Sequence, residues 1–228
     1  MTRRRHPLLY RAAWLRRNRC SLLLLWLCVL ILANPLFITT RFGAKSLAIG
    51  LLVVLLLATW ALRVRRARLW LVLAVTVGAA AAIILSPGEH HWLRPIAVGT
   101  VAVLIGAVTV AVLRYVLDWH LITLDKVFGA VSAYMLIALT FACLFSLLQL
   151  VQPHAFYFNP VNNPDGHMSW SEGMYFSFTV LTSTGFGEIT PVTDMARSLI
   201  VIEQVLGVMY TAFLVARLAN LYGLKTRR

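Results

Sequence analysis

Residues 182–188 read Thr182-Ser183-Thr184-Gly185-Phe186-Gly187-Glu188, a polar stretch set between long apolar segments. It follows an aromatic run, Trp170 to Leu181, that predicts a short helix, and it precedes Pro191 and a last apolar segment. Glycine enters backbone conformations closed to other L-residues, so Gly185 and Gly187 allow successive carbonyls to point the same way. A file of aligned carbonyl oxygens is a cation site, because such oxygens can replace an ion's hydration shell. Irregular backbone is tolerated at membrane depth only where it is buried or lines a water-filled path.

Composition makes the surroundings a membrane. The chain has 228 residues, of which 60% are hydrophobic, and its mean hydropathy is +0.80, more apolar surface than one water-soluble core can hide. Crossing a bilayer takes about 20 apolar residues in a helix. Stretches near that length run from Ser21 to Ile38, Ser46 to Val64, Leu69 to Leu85, Ile96 to Leu117, Val127 to Val151 and Thr193 to Leu221. Between the last two, Gln152 to Pro191 carries Pro160, Asn162, Asn163, Pro164, Asp165 and Gly166, a turn-rich run that cannot itself span. Within it, Ser169 followed three residues later by Glu172 is a capping-box pattern and starts the short helix. The N-terminus has a basic region and an apolar run but no small-x-small cleavage pattern after Ala33, so the first span is expected to be retained.

The formal charge of +13 is a topology signal before it is anything else. With the N-terminus inside, six spans place all but four of the 21 Lys and Arg on the cytoplasmic side; the exceptions are Arg41, Lys45, Arg94 and Arg197. Residues 1–20 form a basic cytoplasmic arm, Arg-rich with Leu8, Leu9, Tyr10, Trp14 and Leu15 interleaved, which either lies on anionic headgroups or is a solvated arm. No nucleic-acid-binding module accompanies the charge, so no nucleic-acid partner is expected. Glu89, Asp165, Glu172, Glu188 and Asp194 fall on the outer side, where a negative vestibule would concentrate cations. For Glu89 and Asp165 a solvated loop or a cap is the preferred reading. Cys20, Cys28 and Cys143 are too scattered for a disulfide framework or a metal site.

The stretch resembles the selectivity filter of the potassium-channel pore family, usually written T-V-G-Y-G-D. Ser183 stands at the family's Thr, Thr184 at its Val, Gly185 and Gly187 at its glycines, Phe186 at its Tyr and Glu188 at its Asp. The match extends to Tyr175-Phe176-Ser177-Phe178-Thr179, Pro191 and Gly207, about the last third of the chain. The resemblance implies an all-α membrane protein with six transmembrane helices and a re-entrant pore helix and filter between the fifth and sixth. It divides the chain into the arm 1–20, a four-helix domain 21–123 and a pore domain 124–228. It further implies a homotetramer in a bacterial inner membrane, both termini cytoplasmic, that passes potassium and carries no cofactor. Thr182, Ser183, Thr184, Gly185, Phe186 and Gly187 would bind the ion, with Glu188 and Asp194 at the pore mouth. Ser183 lacks the family's methyl, Thr184 is polar where the family is apolar, and Phe186 lacks the phenol, leaving it apolar packing against Phe176 and Phe178. The expectation is potassium preferred over sodium, with a nonselective cation channel as the alternative.

Glu203 is the one acid deep in a span, and an ionisable group there is a functional candidate. It is either neutral and bonded to Thr179, Ser177 or Gln204, or it faces the cavity. Gly207, one turn on, aligns with the family's inner-helix hinge glycine, or it permits close packing. Both are gating candidates. The fourth span carries only Arg114 near its inner end, short of the three or four charges a voltage sensor needs, so weak or no intrinsic voltage gating is expected. The run Gly78-Ala79-Ala80-Ala81-Ala82, with Gly99 and Gly106, suggests close helix packing. Residues Asp118 to Lys126 form either a surface link or a loop. A membrane-embedded metal enzyme would draw on His90, His91, His120, His154 and His167, but these lack ligand spacing and fall on opposite sides of the membrane. A structural adapter is the remaining alternative.

Overall fold

The computed structural model describes residues 19–38, 53–54, 93–118 and 123–225. The arm up to residue 18, nearly all of the expected second and third spans, the small-residue run 78–82, Glu89, His90, His91 and residues 119–122 of the expected link lie outside the described residues. Five helices and two short strands follow in order: α1 (Arg19–Ile38), α2 (Leu93–Leu117), α3 (Leu124–Val151), β1 (Phe156–Phe158), α4 (Trp170–Leu181), β2 (Ile189–Pro191) and α5 (Asp194–Lys225). Three described segments are helical, long and apolar enough to cross a membrane: Arg94–Leu117, Leu124–Val151 and Asp194–Arg217. They coincide with the expected fourth, fifth and sixth spans to within a few residues. The apolar part of α1 is shorter, Arg19–Asn34.

These helices are apolar on every side, so hydropathy alone does not say which face meets protein. Residue size does. A Cβ on Gly99 would touch Leu147 Cδ2 at 3.6 Å, and one on Gly106 would touch Thr140 Cγ2 at 3.5 Å, so both glycines of α2 face α3 as the small-residue reading expected. Gly129 of α3 is tighter, with Val116 and Cys20 side chains 3.1 and 3.2 Å from the added atom. Ala97, Val101, Ile105, Val108, Val112 and Val116 carry the buried face of α2 along this seam. Leu23, Leu27 and Leu30 of α1 join the same core. Hydroxyls within it bond to their own helices, Thr109 to the Ile105 carbonyl and Thr140 to the Leu136 carbonyl, both at 2.8 Å. That satisfies them where no water reaches.

One end of each of three helices meets at Asp125. Thr123 N-caps α3, and Asp125 follows in its first turn, where a carboxylate complements the helix dipole. Asp125 Oδ1 accepts from the backbone N–H of Cys20, a first-turn donor of α1, at 2.9 Å. Its Oδ2 accepts from the Tyr115 hydroxyl of α2 at 3.2 Å.

On its other side α3 meets a second, aromatic core. Phe145 lies 5.1 Å from Phe176 and 5.6 Å from Phe156, centroid to centroid, and Phe156 and Phe176 meet edge to face at 5.6 Å. The turn-rich run after α3 contains one regular feature that composition did not disclose. Strands β1 and β2 pair antiparallel, Phe156 with Pro191 and Phe158 with Ile189, and bring the two ends of the 159–188 segment together.

Candidate functional site

Helix α4 starts where the sequence places it. Ser169 Oγ accepts from the Glu172 backbone N–H at 3.2 Å, and Glu172 Oε2 accepts from the Ser169 N–H at 2.8 Å, which closes a capping box. The helix ends at Leu181 with its C-terminus wedged between α3 and α5 on two levels one turn apart. On the upper level, Ser177 Oγ lies 2.6 Å from the Ala138 carbonyl oxygen of α3 and 2.5 Å from Glu203 Oε1 of α5. On the lower level, the Tyr134 hydroxyl of α3 donates to the Leu181 carbonyl at 3.2 Å, and Gly207 of α5 abuts that same carbonyl. Each helix contributes residues four apart: 134 and 138, 177 and 181, 203 and 207. Glu203 is fully buried, bonded to Ser177, one of the partners the sequence offered. Its Oε2 has no partner.

The chain then leaves the helix. The Thr182 N–H still reaches the Phe178 carbonyl at 3.1 Å, the Ser183 N–H reaches Val180 at 2.9 Å, and the N–H groups of Thr184 and Gly185 reach Thr179 at 2.8 and 3.3 Å. Four successive donors are thereby turned back onto α4. Among the described residues no hydrogen bond is made to the backbone carbonyls of 182–187, and all six residues are exposed in the single chain. The backbone alternates. Ser183, Gly185 and Gly187 have φ of 56°, 57° and 85°, whereas Thr182 is at −85° and neither Thr184 nor Phe186 is positive. Reversing the hand at every second residue is the pattern that allows successive carbonyls to turn toward one side. Gly185 and Gly187 take the positive φ that their type permits. Ser183 does the same with a Cβ, which its identity did not signal.

Phe186 differs from expectation. Its ring stacks on Tyr175, 6.1 Å between centroids and 6° from parallel, and not on Phe176 or Phe178. Phe176 is committed to the aromatic core, and Tyr175, half-exposed on the free side of α4, is the ring that the loop passes over. Glu188 is partly buried at the end of the stretch, its carbonyl accepting from the Asn159 N–H at 2.9 Å. Asp194 opens α5 and sits 3.6 Å from Arg197, an exposed pair of little energetic weight. Beyond it, among the described side chains α5 buries only a narrow stripe, Ala196, Ile200, Glu203 and Gly207, while Val201, Val205, Val208 and Met209 are exposed. Among the described residues no group of three or more His, Cys, Asp or Glu is placed to hold a metal.

A family model described as "Ion channel" matches residues 134–223, from the tyrosine of the lower level through nearly all of α5. The chain is also 32% identical over 117 residues to Protein LctB of Geobacillus stearothermophilus, an alignment covering 51% of this chain and 87% of that protein. The chain belongs to this ion-channel family. Protein LctB of Bacillus caldotenax is 29% identical over the same length and coverage. No solved structure matches. Membership in an ion-channel family, together with the apolar helices, makes the chain an integral membrane protein and assigns it to ion transport. The matched segment of this ion channel contains both three-helix levels and the whole of 182–188.

Proposed function

We propose that four copies of this chain form a potassium-preferring channel in a bacterial inner membrane, with both termini cytoplasmic. In this reading the chain has six spans and three parts, 1–20, 21–123 and 124–228, with α3 as outer helix, α4 as re-entrant pore helix and α5 as inner helix. The single observation that carries it is the alternation of backbone hand over 182–187 combined with carbonyls that no N–H claims. Oxygens so placed can take over an ion's hydration shell, while the donors that would oppose a cation point back into α4. One chain supplies one file and cannot enclose an ion, so a closed ring of copies is required. The exposed apolar face of α5 is available for that contact. Glu188 and Asp194 would sit at the mouth, and the negative end of the α4 dipole would favour a cation beneath the stretch. A basic arm bound to anionic headgroups completes the arrangement.

Potassium and sodium flux into proteoliposomes tests the proposal, with Gly185→Ala as the control. At φ 57° an added Cβ costs an L-residue about 1 kcal/mol, and within one chain it meets nothing inside 4 Å. The variant should therefore keep its fold and lose selective flux, because the added methyl acts only where copies converge. Comparable permeability for the two ions would favour a nonselective pore, for which Ser183, Thr184 and Phe186 speak. No flux at all, with indifference to Gly185→Ala, would make the chain an adapter.

A further inference from the structure

We propose that Glu203 is a positioning residue that works as a neutral hydrogen-bond donor: it donates to Ser177, Ser177 donates to the Ala138 carbonyl, and this two-step relay fixes α4 and the carbonyl file that follows it. The proposal rests on the channel reading above and assigns to it a determinant of ion selection outside the file itself. Ser177 Oγ makes two short oxygen contacts, 2.6 Å to Ala138 O and 2.5 Å to Glu203 Oε1. A separation of about 2.5–3.0 Å between oxygens is attractive only with a proton between them. Ser177 has one proton for two contacts. The Ala138 oxygen is a carbonyl and brings none, so the second proton comes from the Glu203 carboxyl. With a carboxylate, one of the two contacts would be a bare repulsion between lone pairs.

The surroundings agree with a neutral group. Glu203 is fully buried, its second oxygen has no partner, and among the described residues no cation forms an ion pair with it. An unpaired charge there would carry a desolvation penalty that nothing repays. The relay also joins the right elements. Ser177 precedes Leu181 by one helical turn, and the donors of 182–185 are bonded to α4 carbonyls at Phe178, Thr179 and Val180. A shift of α4 therefore carries the start of the file with it.

The test separates donor from charge. Glu203→Gln keeps an N–H that can donate to Ser177, and Glu203→Met keeps the volume but no donor. With both variants assembled to the wild-type size, the potassium-to-sodium permeability ratio in proteoliposomes should stay within about twofold for Gln and fall about tenfold for Met, the factor a lost buried hydrogen bond supplies. Infrared spectra of the wild type in bilayers at neutral pH should carry a protonated-carboxyl stretch that Glu203→Gln removes. A Gln variant as impaired as Met, a Met variant equal to wild type, or a missing infrared band in a wild type that conducts would overturn this proposal alone. A wild type that passes neither ion would instead sink the channel reading and the selectivity role with it.

Discussion

Gly207→Ala places a methyl group where backbone already is. An ideal Cβ on Gly207 would overlap the Leu181 carbonyl oxygen and stand 3.0 Å from both the carbonyl carbon and Cδ1 of Leu181. The side chain could rotate away, but the peptide group could not, since Tyr134 holds that carbonyl at 3.2 Å and the next peptide units are bonded back into α4. Relief requires α5 to retreat until the carbons reach about 3.5–4.0 Å. The retreat would stretch the Glu203 contact to Ser177, one turn away on the same face. Overpacking costs about 3 kcal/mol at the upper end of its usual range, and the lost hydrogen bond about 1 kcal/mol more. The variant should lose about 4 kcal/mol per chain, roughly a thousandfold in its unfolding equilibrium. Denaturation of the detergent-solubilised protein, read beside the potassium-to-sodium permeability ratio, measures both consequences, and both should fall. A simple hinge glycine makes the opposite forecast: altered open probability with the denaturation midpoint and the ratio unchanged. That outcome would refute the packing argument.

Three further expectations can be checked by the same denaturation assay. Ser169→Ala removes the hydroxyl that caps α4 and should cost about 1 kcal/mol, so a loss above about 3 kcal/mol would mean that the residue does more than cap. Arg217 of α5 donates to the carbonyl of Val116 in the last turn of α2 and to that of Asp118 just beyond it, which also accepts from Lys126 Nζ at 3.0 Å. Arg217→Ala should cost about 1.5 kcal/mol and Arg217→Lys roughly half of that, because an ammonium lacks the fork that reaches two carbonyls; equal stability for Arg, Lys and Ala would contradict it. Asn34 donates to Ser171 at 2.8 Å, tying α1 to the first turn of α4, but its Oδ1 has no partner. Asn34→Leu should therefore cost less than about 1 kcal/mol, the usual scale of interhelical bonds in membranes, and a larger loss would show the tether to be essential.

What the sequence disclosed was local, and what it hid was not. The capping box was legible because its two halves are three residues apart, and the limits of α4 followed from it. The long helices were legible because the bilayer imposes their length. Their orientation was not, since a helix apolar on all sides carries no hydropathy stripe; only Gly99 and Gly106 marked the face that meets α3. The close approach at Gly207 was not legible because the atom it abuts belongs to Leu181, 26 residues upstream. Glu203 had several candidate partners for the same reason. The backbone of Ser183 was hidden in another way: residue type predicts positive φ for glycine, whereas here the bonds from Ser183 to Val180 and from Thr184 to Thr179 hold a β-carbon-bearing residue in the left-handed region. The pairing of β1 with β2 was hidden because each strand is only three residues long, too short for an alternation to stand out from the turns around it.

The arrangement of the helices around α3 also says on which side further copies can join. One flank of α3 is covered by α1 and α2, through Leu23, Leu27, Ala97, Val101 and Ile105. The other carries the aromatic core, α4 and the narrow buried stripe of α5. Over the side chains described, α5 buries only Ala196, Ile200, Glu203 and Gly207 fully, which leaves most of that face to be covered by lipid or by another chain. Lipid would suit Val201, Val205 and Val208 but not the six exposed residues 182–187, which cannot face hydrocarbon without orphaning their carbonyls. Both surfaces flank the same end of α4. A covering that suits both at once must be apolar toward α5 and aqueous or ionic toward the carbonyl file. The proposed ring of identical subunits would meet that requirement, with the first two described helices outside and the file inside.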